Sequence, residues 1–142
     1  MIVRKRDLLG LGLALAFAVP ASAQMGESEP QVRPDGHVYF APRSSVLAPE
    51  ALETLELMKP IFDHAAKTAT GPVIYEVVGA YDGAETPALA ARRVKAVADW
   101  LIASGVDTTV IRTRVLPPAE APVRWVKGQP NPINRSVHLT IP

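Results

Sequence analysis

Residues 73–106, VIYEVVGAYDGAETPALAARRVKAVADWLIASGV, place a strand, a turn and a helix in direct succession. The first six residues, 73–78, are short and rich in β-branched side chains, which is typical of a central strand. Thr86 can cap a helix and Pro87 can open it, while Gly105 is suited to end it. The stretch therefore predicts a buried strand, a loop and an amphipathic helix that needs a partner layer.

The flanking segments predict a second helix and more strands. Between residues 48 and 67 apolar side chains recur every three or four positions, as in an amphipathic helix. Pro60 lies inside that pattern, and we expect it to kink or break the helix because its ring clashes with the preceding turn. Further strands are predicted at 37–40, 110–115 and 136–141, with an edge strand at 123–126 inside the proline-rich segment 117–132.

These elements follow the order β-α-β-α-β-β. Two helices that each need one face buried against about four strands make a two-layer α/β sandwich. The predicted fold class is α+β, with a mixed sheet and both long helices on one of its faces.

The N-terminus predicts export. Residues 1–23 combine a basic start, an apolar stretch of about a dozen residues and an Ala-x-Ala end, which is typical of a secretory signal peptide cleaved after Ala23. The apolar stretch is short against the ~20 residues that a bilayer requires, so a membrane span is disfavoured. Residues 24–35 predict a flexible linker and residues 36–142 the folded domain, with no membrane span after cleavage.

Composition and motifs argue against several functions. The 142 residues contain 15 Lys and Arg, 14 Asp and Glu and no Cys. No basic run is interleaved with aromatic residues, which argues against nucleic acid as a partner. The absence of Cys excludes a disulfide, a Cys-ligated zinc site and a thiol nucleophile. No catalytic motif is present, and the three histidines share no ligand spacing, so we predict neither an enzyme nor a cofactor nor a metal site.

One acidic and one basic residue lie where the loop turns back to the helix. At about 100° per residue, Arg92 points fully outward from the apolar stripe centred on Val94 and Leu101, whereas Arg93 lies on its shoulder. The strand-loop-helix turn then allows Asp82 and Arg93 to share a pocket rim, a pair that suits a zwitterion. The residues alone favour a simpler alternative, in which the two form a surface ion pair, or Asp82 caps the loop and Arg93 lies at the rim.

Four ordered patches resemble the OmpA-like peptidoglycan-associating domain family. They are Val38-Tyr-Phe40 with Ser44 and Leu47, Gly79-Ala-Tyr-Asp82, Leu89-x-x-x-Arg93 with Val97, Trp100, Leu101 and Gly105-Val106, and Asn134-Arg135-Ser136-Val137. The resemblance covers about residues 37–141.

The resemblance implies a periplasmic, non-enzymatic protein that binds peptidoglycan through the diaminopimelate of the stem peptide. By motif position, Asp82 would hold the amine and Arg93 the carboxylate of that residue. The neighbouring motif positions that we assign to the same ligand site are Tyr81, Thr86, Leu89 and Arg135.

The chain also departs from the family pattern. The loop from Asp82 to Leu89 is shorter, Thr86 replaces an Asn, and Ser136 and His138 replace an Arg and a Glu. An alternative is therefore a degenerate module that contacts envelope proteins through residues 117–132, with Trp125 exposed, and does not bind the wall.

Overall fold

The computed structural model describes residues 33–142. The predicted signal peptide, its cleavage after Ala23 and most of the predicted linker lie outside the described residues.

Six regular elements follow one another along this part of the chain. They are β1 (Asp35–Tyr39), α1 (Pro49–Thr68), β2 (Tyr75–Gly79), α2 (Pro87–Ala103), β3 (Ile111–Val115) and β4 (Ser136–Thr140). Short 3₁₀ turns at 108–110, 118–120 and 132–134 connect the later elements. The predicted order β-α-β-α-β-β is confirmed.

The four strands form one mixed sheet in the order β1-β4-β2-β3. β2 and β3 are parallel and are connected through α2, as a crossover between parallel strands requires. β4 lies antiparallel between β1 and β2. The last strand of the chain therefore occupies the centre of the sheet, and β1 becomes an edge.

Both helices cover one face of the sheet, which confirms the two-layer α+β architecture. The buried core joins strand residues to helix residues: Val38, Val77, Val137 and Leu139 pack with Leu55, Phe62, Val94, Val97 and Leu101. The alternation of β4 is as predicted, since Val137, Leu139 and Ile141 are buried. The opposite face of the sheet carries polar side chains of β1, β2 and β4.

Of the kink or break expected at Pro60, the break does not occur, because α1 runs unbroken from Pro49 to Thr68. Leu55 and Phe62 are buried on either side of the proline and hold both halves of the helix on the sheet. Pro60 itself is exposed, as is Glu56, whose carbonyl loses its helical donor. Water can hydrogen-bond to that carbonyl, which lowers the cost of the proline.

The predicted edge strand at 123–126 is also wrong, since this segment belongs to no strand. The Asn134 side chain takes the place of a strand partner. Its Oδ1 accepts from the Val123 N–H at 3.0 Å, and its Nδ2 donates to the Val123 carbonyl at 3.1 Å. A buried amide thus satisfies the backbone that a sheet would otherwise have paired.

The end of the predicted linker is tied into the sheet. β1 begins at Asp35, and the Pro34 carbonyl accepts from the Ile141 N–H at 3.3 Å and from Thr140 Oγ1 at 2.8 Å. Within residues 33–142, neither helix combines the length and the apolar character needed to cross a membrane.

Candidate functional site

The turn between β2 and α2 is shaped by local hydrogen bonds. Asp82 Oδ1 accepts from the Ala84 N–H at 2.9 Å, and the Asp82 carbonyl accepts from the Glu85 N–H at 3.1 Å. Thr86 Oγ1 then accepts from the Leu89 N–H at 3.3 Å, which confirms Thr86 as the helix cap. Residues 80–86 therefore connect the end of β2 directly to the start of α2.

The proline-rich segment lies directly against this turn at Gly83. A Cβ at Gly83 would lie 1.7 Å from the Val126 carbonyl oxygen, so only glycine fits there. The Gly83 N–H donates to the Gln129 carbonyl at 3.1 Å, and the Gly128 N–H donates to the Gly83 carbonyl at 2.7 Å. Segment 117–132 therefore borders the site on a second side, through its residues 126–129.

Arg93 is fully buried in the second turn of α2, with 0% of its side chain exposed. Its Nε donates to the Ser44 carbonyl at 2.8 Å and its Nη2 to the Ala41 carbonyl at 3.2 Å. The guanidinium also lies over the Phe40 ring, 5.3 Å from its centroid. The predicted half-exposed position is wrong because the connection between β1 and α1 covers the shoulder of the helix.

The partner of Arg93 is Glu85, a loop residue that is not among the predicted site residues. Arg93 Nη1 donates to Glu85 Oε1 at 2.8 Å and Nη2 donates to Oε2 at 2.6 Å. Two backbone N–H groups complete the arrangement: Asp82 donates to Oε1 at 3.2 Å and Arg43 to Oε2 at 3.0 Å. We call these donors, the Arg93 guanidinium and the two backbone N–H groups, the Arg93 clamp.

The clamp favours an ionised carboxyl group. Burial by itself raises the pKa of Glu85, but the hydrogen bonds from Arg93 and from the N–H groups of Arg43 and Asp82 outweigh it and lower that pKa below its ordinary value. Arg43 has a φ of 56°, in the left-handed region that side chains other than glycine rarely adopt. The backbone is thus held in a less favourable conformation at a residue that donates to the carboxylate.

Asp82 is equally buried, with 1% of its surface exposed. Its Oδ2 accepts from Arg135 Nη1 at 3.3 Å and from the Asn131 N–H at 3.0 Å. Arg135 also donates from Nε to the Phe40 carbonyl at 3.1 Å, and 12% of its side chain is exposed.

The expected open pocket between Asp82 and Arg93 is therefore absent from the described structure. Each side chain is buried in a different ion pair, Asp82 with Arg135 and Arg93 with Glu85. The two pairs are adjacent, because the backbone N–H of Asp82 donates to the carboxylate that Arg93 holds. The site consequently binds one carboxylate and one guanidinium side by side, and both belong to the chain itself.

Two further predicted site residues, Leu89 and Tyr81, are buried side chains of the interior and are not open to a ligand. Tyr81 makes an edge contact with Trp125, with ring centroids 6.1 Å apart, and its carbonyl accepts from Trp125 Nε1 at 3.1 Å. The prediction of an exposed Trp125 is wrong: the residue is half-buried, and it fixes segment 117–132 to the turn.

Comparisons with known proteins agree on the fold. No family model matches the chain, and no curated protein sequence matches it. Among solved structures, the peptidoglycan-associated lipoprotein from Burkholderia pseudomallei is similar at 18% identity and a TM-score of 0.60, over 75% of this chain and 89% of that one. The cell wall anchor of the T6SS from Pseudomonas aeruginosa is similar at 23% identity and a TM-score of 0.58, over 87% and 92%.

A third similar solved structure is described as an OmpA-like domain. The OmpA-like domain of FopA1 from Francisella tularensis is similar at 18% identity and a TM-score of 0.51, over 75% of this chain and 70% of that one. The chain therefore has the OmpA-like fold, as its sequence patches predicted.

Proposed function

We propose that this protein is a non-enzymatic component of the bacterial envelope that is exported to the periplasm and binds peptidoglycan reversibly. The names of two structures with the same fold, a peptidoglycan-associated lipoprotein and a cell wall anchor, support the class of ligand. The single observation that carries the proposal is the Arg93 clamp, because it is a formed binding site for a carboxylate.

The chemistry of the clamp suits the diaminopimelate of a stem peptide. That residue carries an amine and a carboxylate on one carbon. Its carboxylate would replace the Glu85 carboxylate and accept from Arg93 and from the backbone N–H groups of Asp82 and Arg43. Its ammonium would replace the Arg135 guanidinium at the Asp82 carboxylate. Glu85 and Arg135 then occupy the positions of the two charges of a ligand.

Such an exchange sets the strength of binding. Glu85 competes for the clamp from within the chain, so the apparent affinity is the intrinsic affinity multiplied by the fraction of molecules in which Glu85 has left the clamp. Residues 84 and 86–88 are exposed, so the loop that carries Glu85 lies at the surface of the domain. We expect weak and reversible binding that strengthens when the internal carboxylate is removed.

A second candidate function is favoured by the fact that Asp82 and Arg93 already have partners within the chain. Since Asp82 and Arg93 are buried and each is hydrogen-bonded to several protein groups, the pairs can also serve permanently as structure. The protein would then be a module that contacts envelope proteins, with segment 117–132 as its surface. Variants of the clamp would then change the stability of the protein, and neither wild type nor any variant would bind sacculi.

Co-sedimentation with purified sacculi separates the two functions. We expect wild type to pellet with sacculi and to be released by free diaminopimelate. Arg93→Lys keeps the charge but loses the two-point geometry, and we expect its binding to be at least about tenfold weaker. Arg92→Lys is the matched control, because Arg92 is the adjacent exposed residue on the same helix.

Glu85→Gln should have the opposite effect on binding to sacculi. It removes the competing carboxylate, so the folded variant should bind sacculi more strongly than wild type. Circular dichroism establishes that each variant is folded. If folded wild type and folded Glu85→Gln both stay in the supernatant, the wall-binding proposal is wrong and the second candidate is supported.

A further inference from the structure

Two histidines that lie far apart in the sequence meet on the open face of the sheet. His37 of β1 and His138 of β4 are direct cross-strand partners. Their rings are stacked, with centroids 4.4 Å apart and an interplanar angle of 16°. Sequence spacing could not indicate this contact, because the antiparallel pairing of the first and last strands creates it.

A carboxylate completes the group. Asp35 precedes His37 by two residues and therefore projects from the same face of β1. Its carboxylate is hydrogen-bonded to Nε2 of His138. One ligand atom from each of Asp35, His37 and His138 lies within 4.8 Å of those of the other two. Among residues 33–142, no protein group forms a hydrogen bond with the His37 ring.

The surroundings leave room for a ligand. A cavity of about 330 Å³ borders the two imidazoles on this face, and Glu76, Arg114 and Thr140 also line it. Asp35 and His37 are exposed and His138 is partly exposed, so an ion reaches the group directly from solvent.

We propose that Asp35, His37 and His138 form a binding site for a divalent late first-row transition metal ion, with Zn²⁺ as the reference ion. Two imidazole nitrogens and one carboxylate oxygen are ligands that Zn²⁺ takes in tetrahedral sites, and a water or an external ligand fills the fourth position. The ion would replace the hydrogen bond between Asp35 and His138. It would also connect the edge strand β1 to the central strand β4.

The site is independent of the proposed wall binding. The histidines lie on the open face of the sheet, whereas the Arg93 clamp is formed by α2, the β2–α2 turn and the segment between β1 and α1. Loss of one activity therefore leaves the other measurable.

Isothermal titration of the full chain, prepared without a histidine tag, with ZnCl₂ tests the proposal. We expect one ion per chain in wild type. His37→Ala and His138→Ala should each weaken binding by at least about 100-fold, since even loss of an outer partner of a metal ligand costs 10–100-fold. His64→Ala is the matched control, because His64 is exposed on α1 and is not part of the group.

Two further measurements test the role of the Asp35 carboxylate and the connection of the edge strand β1 to β4. Asp35→Asn should weaken Zn²⁺ binding in the same titration. Zn²⁺ at 100 times its dissociation constant should raise the Tm of wild type by about 10 °C and that of His37→Ala by no more than about 2 °C. The proposal is overturned if wild type shows no saturable binding, or if the His37 and His138 variants bind Zn²⁺ as tightly as His64→Ala does.

Discussion

Arg93 and Glu85 form a two-point ion pair in which both Nη atoms donate to the two carboxylate oxygens, at 2.8 and 2.6 Å. The exposed fractions of the two side chains are 0% and 2%. Through this pair, and through the Arg93 bonds to the carbonyls of Ser44 and Ala41, α2 is connected to the β2–α2 turn and to the segment after β1. The pair is thus a structural junction as well as a carboxylate site.

Arg93→Lys should lower the free energy of unfolding by about 1–3 kcal/mol, the usual cost of leaving buried hydrogen-bonding groups without a partner. A lysine ammonium cannot reach two carbonyls and both carboxylate oxygens from one position. Urea unfolding followed by circular dichroism measures the change. Arg92→Lys should stay within about 0.5 kcal/mol of wild type, because Arg92 is exposed. Equal effects of the two substitutions would contradict the buried junction.

Acid should destabilise the protein through Glu85. The pKa of its carboxyl is lowered in the folded state, because the hydrogen bonds from Arg93 and two backbone N–H groups outweigh the effect of burial. The unfolded chain then binds this proton more tightly, so ionised Glu85 stabilises the fold above the ordinary glutamate pKa of about 4.3. That contribution is lost as the pH falls through the lowered pKa.

The urea midpoint of wild type should therefore fall more steeply between pH 5 and pH 3 than that of Glu85→Gln. At neutral pH the variant is less stable than wild type, since it leaves Arg93 buried without its anion. The two midpoints should approach each other as Glu85 of wild type is protonated, so the slopes are compared. Glu56→Gln is the control, because Glu56 is an exposed carboxylate of α1. Parallel curves for wild type and Glu85→Gln would show that the Glu85 proton is not linked to folding.

Gly83→Ala should destabilise the protein strongly, by about 3 kcal/mol or more, because its methyl group would meet the Val126 carbonyl at 1.7 Å. The two hydrogen bonds between Gly83 and segment 128–129 would be disturbed with it. Gly71→Ala is the matched control, since nothing lies within 4 Å of a Cβ there. It should be neutral or slightly stabilising through the unfolded state. Thermal unfolding of both variants tests this contact, and an unchanged Tm for Gly83→Ala would contradict it.

The fold could be predicted because its signals are local. The helix from Pro87 follows from Thr86, Pro87 and an apolar stripe, and the alternation in β4 follows from Val137, Leu139 and Ile141. Family-like patches in the right order then indicated how these elements pack. The helix does not break at Pro60, because buried side chains on both sides outweigh one lost hydrogen bond.

The site could be predicted only in part. Asp82, Arg93 and Arg135 were expected there from their motif positions, and Arg135 is the partner of Asp82, but Glu85, the partner of Arg93, lies in the loop outside every motif. The available signal for Glu85 was an acidic residue directly before the helix cap Thr86, in the loop that turns back towards α2. A helical wheel also treats α2 as isolated, and so it could not show that the segment after β1 covers Arg93.

The most direct test of the Arg93 clamp is a titration with meso-diaminopimelate followed by ¹⁵N NMR. We predict saturable shifts of the backbone N–H signals of Asp82 and Arg43 and of the Arg93 Nε–H, with higher occupancy in Glu85→Gln than in wild type at equal ligand concentration. Pimelate, which has the carboxylates but no amines, should bind more weakly because it has no ammonium to interact with Asp82. If these three signals stay unchanged in both folded proteins at millimolar diaminopimelate, the clamp holds only its own Glu85 and does not bind the wall.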